Sequence, residues 1–150
     1  MTQDRNAIIK ALKPYFSVKE LVCPHCYAKW GEKSWQFLDT NLLHCLLIIR
    51  ESVLYRPMYV NGKTYTQRGL RCNMCDMVKG KTSIYLSPHL MGKAIDFTVS
   101  GMTAEDARKR IKQHAASFPC NIRLEKGVSW VHMDVVQQYG ITEKVYEFNP

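Results

Sequence analysis

Two stretches of this chain set metal-binding side chains among apolar ones. SPHLMGKAIDF, from Ser87 to Phe97, carries His89 and, seven residues on, Asp96, while SWVHMDV, from Ser129 to Val135, holds His132 in a hydrophobic run. In a β-strand alternate side chains point to opposite faces. On that period Ile95, Phe97 and Val99 share one face of KAIDFTV, and Ala94, Asp96 and Thr98 share the other. In the second stretch Val131, Met133 and Val135 oppose Trp130, His132 and Asp134. Each strand then has an apolar side for a core and a polar side bearing a residue able to bind a metal. As sheet neighbours they would bring Asp96 to His132, with His89, on the turn before the first strand, as third ligand. Gly92 lets the chain bend back between them. Two histidines and a carboxylate suit a catalytic zinc, because three protein ligands leave a fourth position for water. Taken alone, either stretch reads better as a hydrogen-bonded core histidine and an ion-paired aspartate.

The cysteines suggest a second centre. Cys23 and Cys26 in CPHC, and Cys72 and Cys75 in CNMC, form two Cys-x-x-Cys pairs. Each such pair supplies two thiolates from one tight turn, the pattern of a structural tetrathiolate zinc site. His25 could replace one thiolate but reads more simply as a bystander. Disulfides are the competing reading and require an oxidising compartment. Cys45 falls on the apolar stripe of a helix and reads as a small buried hydrophobe. Cys120, beside Pro119, carries no signal.

The elements that must position these residues follow from local pattern. Thr2 is placed to cap a helix through about Lys13, with Ala7, Ile8, Ala11 and Leu12 on one face and Pro14 ending it. Ser34 is placed to open a long helix to about Ser52, whose Leu38, Leu42, Cys45, Leu46 and Ile49 recur at helical spacing. YVNGKTY, Tyr59 to Tyr65, has Asn-Gly between β-formers and predicts a hairpin. Arg68 to Thr82 is polar, contains Gly69 and Gly80, and reads as a long loop. Thr103 with Asp106 resembles a capping box, opening a helix with Ala104, Ala107, Ile111 and Ala115 in one stripe. His114 lies away from that stripe and reads as solvated. NIRLE and SWVHMDVV then read as two strands before a short tail. Helices first and a small, mainly antiparallel sheet afterwards make an α+β fold.

A chain of 150 residues is long enough for one domain with a real core, and its 46% apolar and 23% charged residues are ordinary for a globular protein. The longest apolar run, LLHCLLII, is far short of the ~20 residues that span a bilayer. MTQDRNAIIKALKPYF carries Asp4 and has no cleavage site after an apolar stretch, so it does not read as a secretory signal. The expected location is the cytoplasm of the producing cell, unless another device releases the protein. A net charge of +8 suits polyanions in general: nucleic acid, an anionic membrane face or bacterial wall polymers. The basic residues are scattered, however, with no run that reads as a nucleic-acid arm.

The spacing Ser-x-His-x-x-Gly-x-Ala-x-Asp in SPHLMGKAID, followed downstream by WVH, resembles the zinc D-alanyl-D-alanine carboxypeptidases and L-alanyl-D-glutamate endopeptidases of peptidoglycan, whose fold is shared with the Hedgehog signalling domain. YFSVKELVC is similar to the lead-in of that family. RGLRCNMC is similar to its glycine–aromatic–arginine loop, with Leu70 in the aromatic position. The resemblance implies a helical extension at 1–14, a family-like core at 15–135 and a tail at 136–150, all in one domain. It also implies His89, Asp96 and His132 as ligands of a catalytic zinc, Arg71 as the cation that steadies developing negative charge, and Ser87 as a supporting residue on the substrate side. Many relatives place an acid three positions before the last histidine; here that position is Ser129. Glu125, seven positions before His132, is the general base the resemblance leaves, with Asp134 second. Such a zinc lowers the pKa of a water from ~15.7 toward ~7, and Glu125 would pass the proton to the leaving amine. The implied substrate is a peptidoglycan stem peptide, cut by a wall-remodelling or phage-type lysis enzyme. Two alternatives stand beside it: a non-catalytic zinc protein of this fold that binds wall peptides or a partner, and a basic, zinc-containing nucleic-acid binder. The second leaves His89, Asp96 and His132 without a role.

Overall fold

A computed structural model describes residues 4–150, so Thr2, the expected first cap, lies outside the described residues. Helix α1 (Arg5–Leu12) buries Ile8 and Leu12 against α4 (Thr40–Ile48). The expected single helix from Ser34 to Ser52 is instead three pieces: a 3-10 segment Gly31–Phe37, then α4, then a π-type segment Ile49–Leu54. Asp39 rather than Ser34 is the cap, its carboxylate accepting from Leu42 N at 3.1 Å. Ser34 is fully buried and donates to Cys26 O at 3.4 Å, which leaves it unable to start a helix. The apolar stripe survives the break, since Leu38, Leu42, Cys45, Leu46 and Ile49 are all buried.

Two short helices lead into this region, α2 (Val18–Leu21) and α3 (Pro24–Trp30). Helix α5 (Ala104–Gln113) begins as expected, with Thr103 Oγ1 accepting from Asp106 N at 3.1 Å. It buries Ala107 and Ile111 against the sheet, and Ala115 falls in a separate 3-10 turn. His114, half-buried, closes the helix against Arg110 O at 2.8 Å rather than standing free in solvent. No helix among the described residues is long and apolar enough to cross a membrane.

The sheet has five strands, β1 (Met58–Tyr59), β2 (Ala94–Val99), β3 (Ile122–Glu125), β4 (Val131–Asp134) and β5 (Val145–Phe148). Their spatial order is β1-β2-β4-β3-β5. Every pairing is antiparallel except β3 with β5, so the α+β expectation holds with a mixed sheet. Two local expectations fail. Tyr59–Tyr65 forms no hairpin, because β1 pairs with β2 instead. The Asn61 side chain donates to Val22 O at 3.0 Å and accepts from Arg68 N at 2.9 Å, so it ties loops together instead of turning a strand. Residues 136–150 are not simply a tail either, since β5 extends the sheet beside β3.

One face of β2, β3 and β4 carries Ile95, Phe97, Ile122, Leu124, Val131 and Met133 into the core. Burying a side chain such as Phe97 contributes about 1.5–3 kcal/mol. On the opposite face Asp96, His132 and Asp134 are also buried. Charged groups in that position require partners, and those partners make the site.

Candidate metal centre and its cleft

The register of β2 with β4 sets Asp96 directly opposite His132, as strand alternation predicts. Their side chains meet, His132 Nδ1 lying 2.8 Å from Asp96 Oδ1. His89 comes from a tight turn whose geometry is fixed at both ends. Ser87 Oγ accepts from His89 N at 3.2 Å, so Ser87 supports the turn. Gly92 adopts φ +67°, and a Cβ there would lie 1.9 Å from Phe37 O. Only glycine fits so close an approach, and it lets Gly92 O accept from Asp39 N at 2.9 Å. The turn is thereby locked to the start of α4. His89 Nε2 then lies 3.3 Å from Asp96 Oδ2, and one ligand atom from each of His89, Asp96 and His132 falls within 4.8 Å of the others.

Each histidine has a partner on its second nitrogen. His89 Nδ1 is 2.9 Å from Gly69 O, a carbonyl that can only accept, so a proton sits on Nδ1 and Nε2 is left to face the centre. His132 Nε2 lies 2.8 Å from Asp134 Oδ2, which leaves Nδ1 to face the centre. Outer partners of this kind fix ring orientation and tautomer in metal sites. Asp134 is itself held by the Arg123 guanidinium in a two-pronged contact, 2.8 and 3.0 Å, and accepts from Val136 N at 3.1 Å. Fully buried and engaged through both oxygens, it holds the His132 ring in place. Sequence reasoning missed Arg123, although strand alternation in NIRLE puts it on the face of Glu125. It also missed Gly69 O, a backbone group that sequence does not announce.

Electrostatics follow from this packing. Burial opposes charge on His132, but hydrogen bonds to Asp134 and Asp96 outweigh it and raise its pKa to about 9. Burial likewise opposes ionisation of Asp96, and His132 and His89 overcome it, holding the carboxyl well below the usual range. Asp134 is lowered despite burial by His132 and Arg123. His132 thus lies between the Asp96 and Asp134 carboxylates, both of which favour its charged form.

Arg71 is 8% exposed, donates from Nε to Gln67 O at 2.7 Å, and brings Nη2 to 3.7 Å from Asp96 Oδ2. Beside it opens a cleft of about 450 Å³ lined by Arg68, Arg71, Asp96, Thr98, Ser129 and Trp130. The Arg68 guanidinium stacks 4.0 Å from the Tyr65 ring centroid, adding a second cation to the wall. Glu125, half-buried at the end of β3, pairs with Phe148 of β5. Continuing the β3–β4 register by one position places it beside His132. It is not one of the three clustered residues.

The second cluster joins Cys23, His25, Cys72 and Cys75, whose ligand atoms also lie within 4.8 Å of one another. These residues form a site able to hold a metal, with all six cysteines of the chain free. His25 stands in the set where Cys26 was expected. Cys26 contacts Cys23 and Cys72 from outside it and packs on the core. Cys45 is buried as expected, with Cys120 Sγ 3.9 Å from its own sulfur.

Comparison with family models, curated proteins and solved structures finds no match to this chain.

Proposed function

We propose that this protein is a zinc-dependent peptidase that hydrolyses an amide bond in peptidoglycan stem peptides, with a Hedgehog-type arrangement of its α+β fold. The observation that carries the reading is the convergence of His89, Asp96 and His132 on one point, each histidine oriented by its own outer partner. A zinc ion held by these three residues would supply Lewis acidity and an activated water, since a three-ligand set leaves a position open. The chain's residues do the rest. Arg71, at the edge of the cleft and beside Asp96, holds the substrate oxygen as negative charge builds on it. Glu125, in the row beside His132, takes the proton of the attacking water and delivers it to the leaving amine. Arg68 and Thr98 wall the cleft in which the peptide lies. The +8 charge favours retention on the anionic wall, where a lysis or wall-remodelling enzyme acts.

The test is incubation of zinc-loaded protein with purified wall peptides, read by mass spectrometry, beside a His132→Ala variant. Loss of a terminal residue would mark a carboxypeptidase, and an internal cut an endopeptidase. If loaded protein binds these peptides and cleaves none, the non-catalytic reading replaces this one. If it binds nucleic acid with a steep salt dependence instead, both are displaced.

A further inference from the structure

We propose that Cys23, His25, Cys72 and Cys75 hold a structural zinc ion, and that this ion positions the His89 site by fixing the strap of residues 68–72. The metal part stands independently of the peptidase reading; the positioning part concerns the residues of that reading.

The distances suit a tetrahedral ion. Zinc lies about 2.3 Å from thiolate sulfur and about 2.0–2.1 Å from imidazole nitrogen, so a tetrahedron has S···N edges of roughly 3.6 Å and S···S edges of roughly 3.8 Å. His25 Nδ1 lies 3.6 Å from Cys72 Sγ and 3.9 Å from Cys75 Sγ. Backbone amides support the sulfurs: Cys72 N donates to Cys75 Sγ, and Met74 N to Cys72 Sγ, each at 3.4 Å. Four protein ligands close the coordination sphere, the mark of a structural rather than a catalytic zinc.

Coupling runs through five consecutive residues. Arg68 O accepts from Asp96 N at 2.7 Å, and Gly69 O faces His89 Nδ1 at 2.9 Å. Leu70 bridges to Val22, with Leu70 N donating to Leu21 O and Cys23 N to Leu70 O, both at 2.9 Å. Arg71 N donates to His89 O at 3.1 Å, and Cys72 is a ligand of the second centre. Gly69 packs so tightly that a Cβ would lie 2.1 Å from Leu21 O. One end of the strap is thus anchored by backbone contacts and the other by the thiolates. Release of the ion frees the end that carries Arg71, and with it the backbone N–H that holds His89 O.

Cobalt substitution under reducing conditions separates the two centres, because thiolate ligands give a near-ultraviolet charge-transfer band that a His/His/Asp site lacks. Wild-type protein is expected to bind two ions and show the band. His25→Ala and Cys72→Ser should each lose one ion and the band, whereas Cys26→Ser should keep both. His25→Cys is the conservative control for folding and should retain the ion with a stronger band. Chelator competition then reads zinc affinity at the His89 site, which should fall about 10–100-fold in His25→Ala, the usual cost of losing an outer-shell support. The ligand set is overturned if Cys26→Ser loses the band or His25→Ala keeps it. Positioning is overturned if the band disappears while affinity at the His89 site is unchanged. Wild-type protein that shows the band but binds only one ion would refute the proposed peptidase centre and the positioning with it, and would leave the thiolate centre standing.

Discussion

Replacing Asp134 by asparagine tests how the buried carboxylate acts on His132. The side chains are nearly isosteric, so the change removes charge and one acceptor while keeping volume. Arg123 loses half of its two-pronged contact, and the new NH2 group meets either Arg123 or the His132 Nε2–H, donor against donor. Breaking a buried ion pair costs about 3–5 kcal/mol. Arg123 is 19% exposed, which puts the loss at the low end, about 3 kcal/mol, a large share of the 5–15 kcal/mol typical of a domain. Two effects on zinc affinity then oppose each other. Loss of the outer partner weakens binding about 10–100-fold, or about 1.4–2.7 kcal/mol. Loss of Asp134 also lets the His132 pKa fall from about 9, which relieves proton competition. That competition weakens wild-type binding about 100-fold at pH 7 and only about twofold at pH 9. The variant should therefore bind zinc about 10–100-fold more weakly at pH 9, with a visibly smaller gap at pH 7. Chelator competition with the thiolate centre already loaded measures both. Equal affinities at pH 9, or a gap that widens toward pH 7, would refute this account of His132.

Four further outcomes are expected. Glu125→Gln should keep full zinc content but slow hydrolysis about 10²–10⁴-fold; undiminished turnover removes Glu125 from the reaction. Arg71→Ala should lower kcat about 10²–10³-fold with a smaller change in KM, and a pure KM effect would recast it as a ground-state contact. Gly92→Ala should cost about 1–3 kcal/mol from its φ alone, before the clash with Phe37 O is counted, and a Tm equal to wild type would show that the turn can move. In metal-free protein the raised His132 pKa contributes stability that is full below about pH 6.5 and is lost as pH rises through about 9. The lowered Asp96 and Asp134 pKa values contribute stability that is present above about pH 4 and is lost as pH falls. Thermal melts of stripped protein should therefore peak between about pH 4 and pH 6.5, while the increment from added zinc grows with pH; a stripped-protein Tm that rises from pH 6.5 to 9 would contradict this.

Two of the three clustered residues, Asp96 and His132, were legible because two simple rules place them, while His89 was placed only by the turn before the first strand. Alternation puts Asp96 and His132 on the polar faces of their strands, and pairing of those strands brings them opposite each other. What failed depended on competition between local signals. Asp39 took the cap from Ser34 because Ser34 is buried. Asn61, in a turn-like sequence, is claimed by Val22 and Arg68 from outside. β5 has four half-buried residues and no apolar alternation, so only its neighbour reveals it. The exchange of His25 for Cys26 was hidden in the same way. Ligand spacing gives reach, but the direction of each side chain from α3 depends on which of them packs against the core.

The strap from Arg68 to Cys72 also sets where the gene can change length. Successive residues there serve Asp96, His89, Val22, His89 again and the thiolate centre. Deleting or inserting one codon would shift every later residue onto its neighbour's partner, so no single compensating substitution could restore the set. The stretch that follows has the opposite character. Ile84 and Leu86 are 91% and 76% exposed, and residues 83–86 contribute to no helix or strand. Insertions or a peptide tag introduced there should leave both centres assembled. In a random insertion library, tolerated events should accumulate around residue 84 and be absent from 68–72.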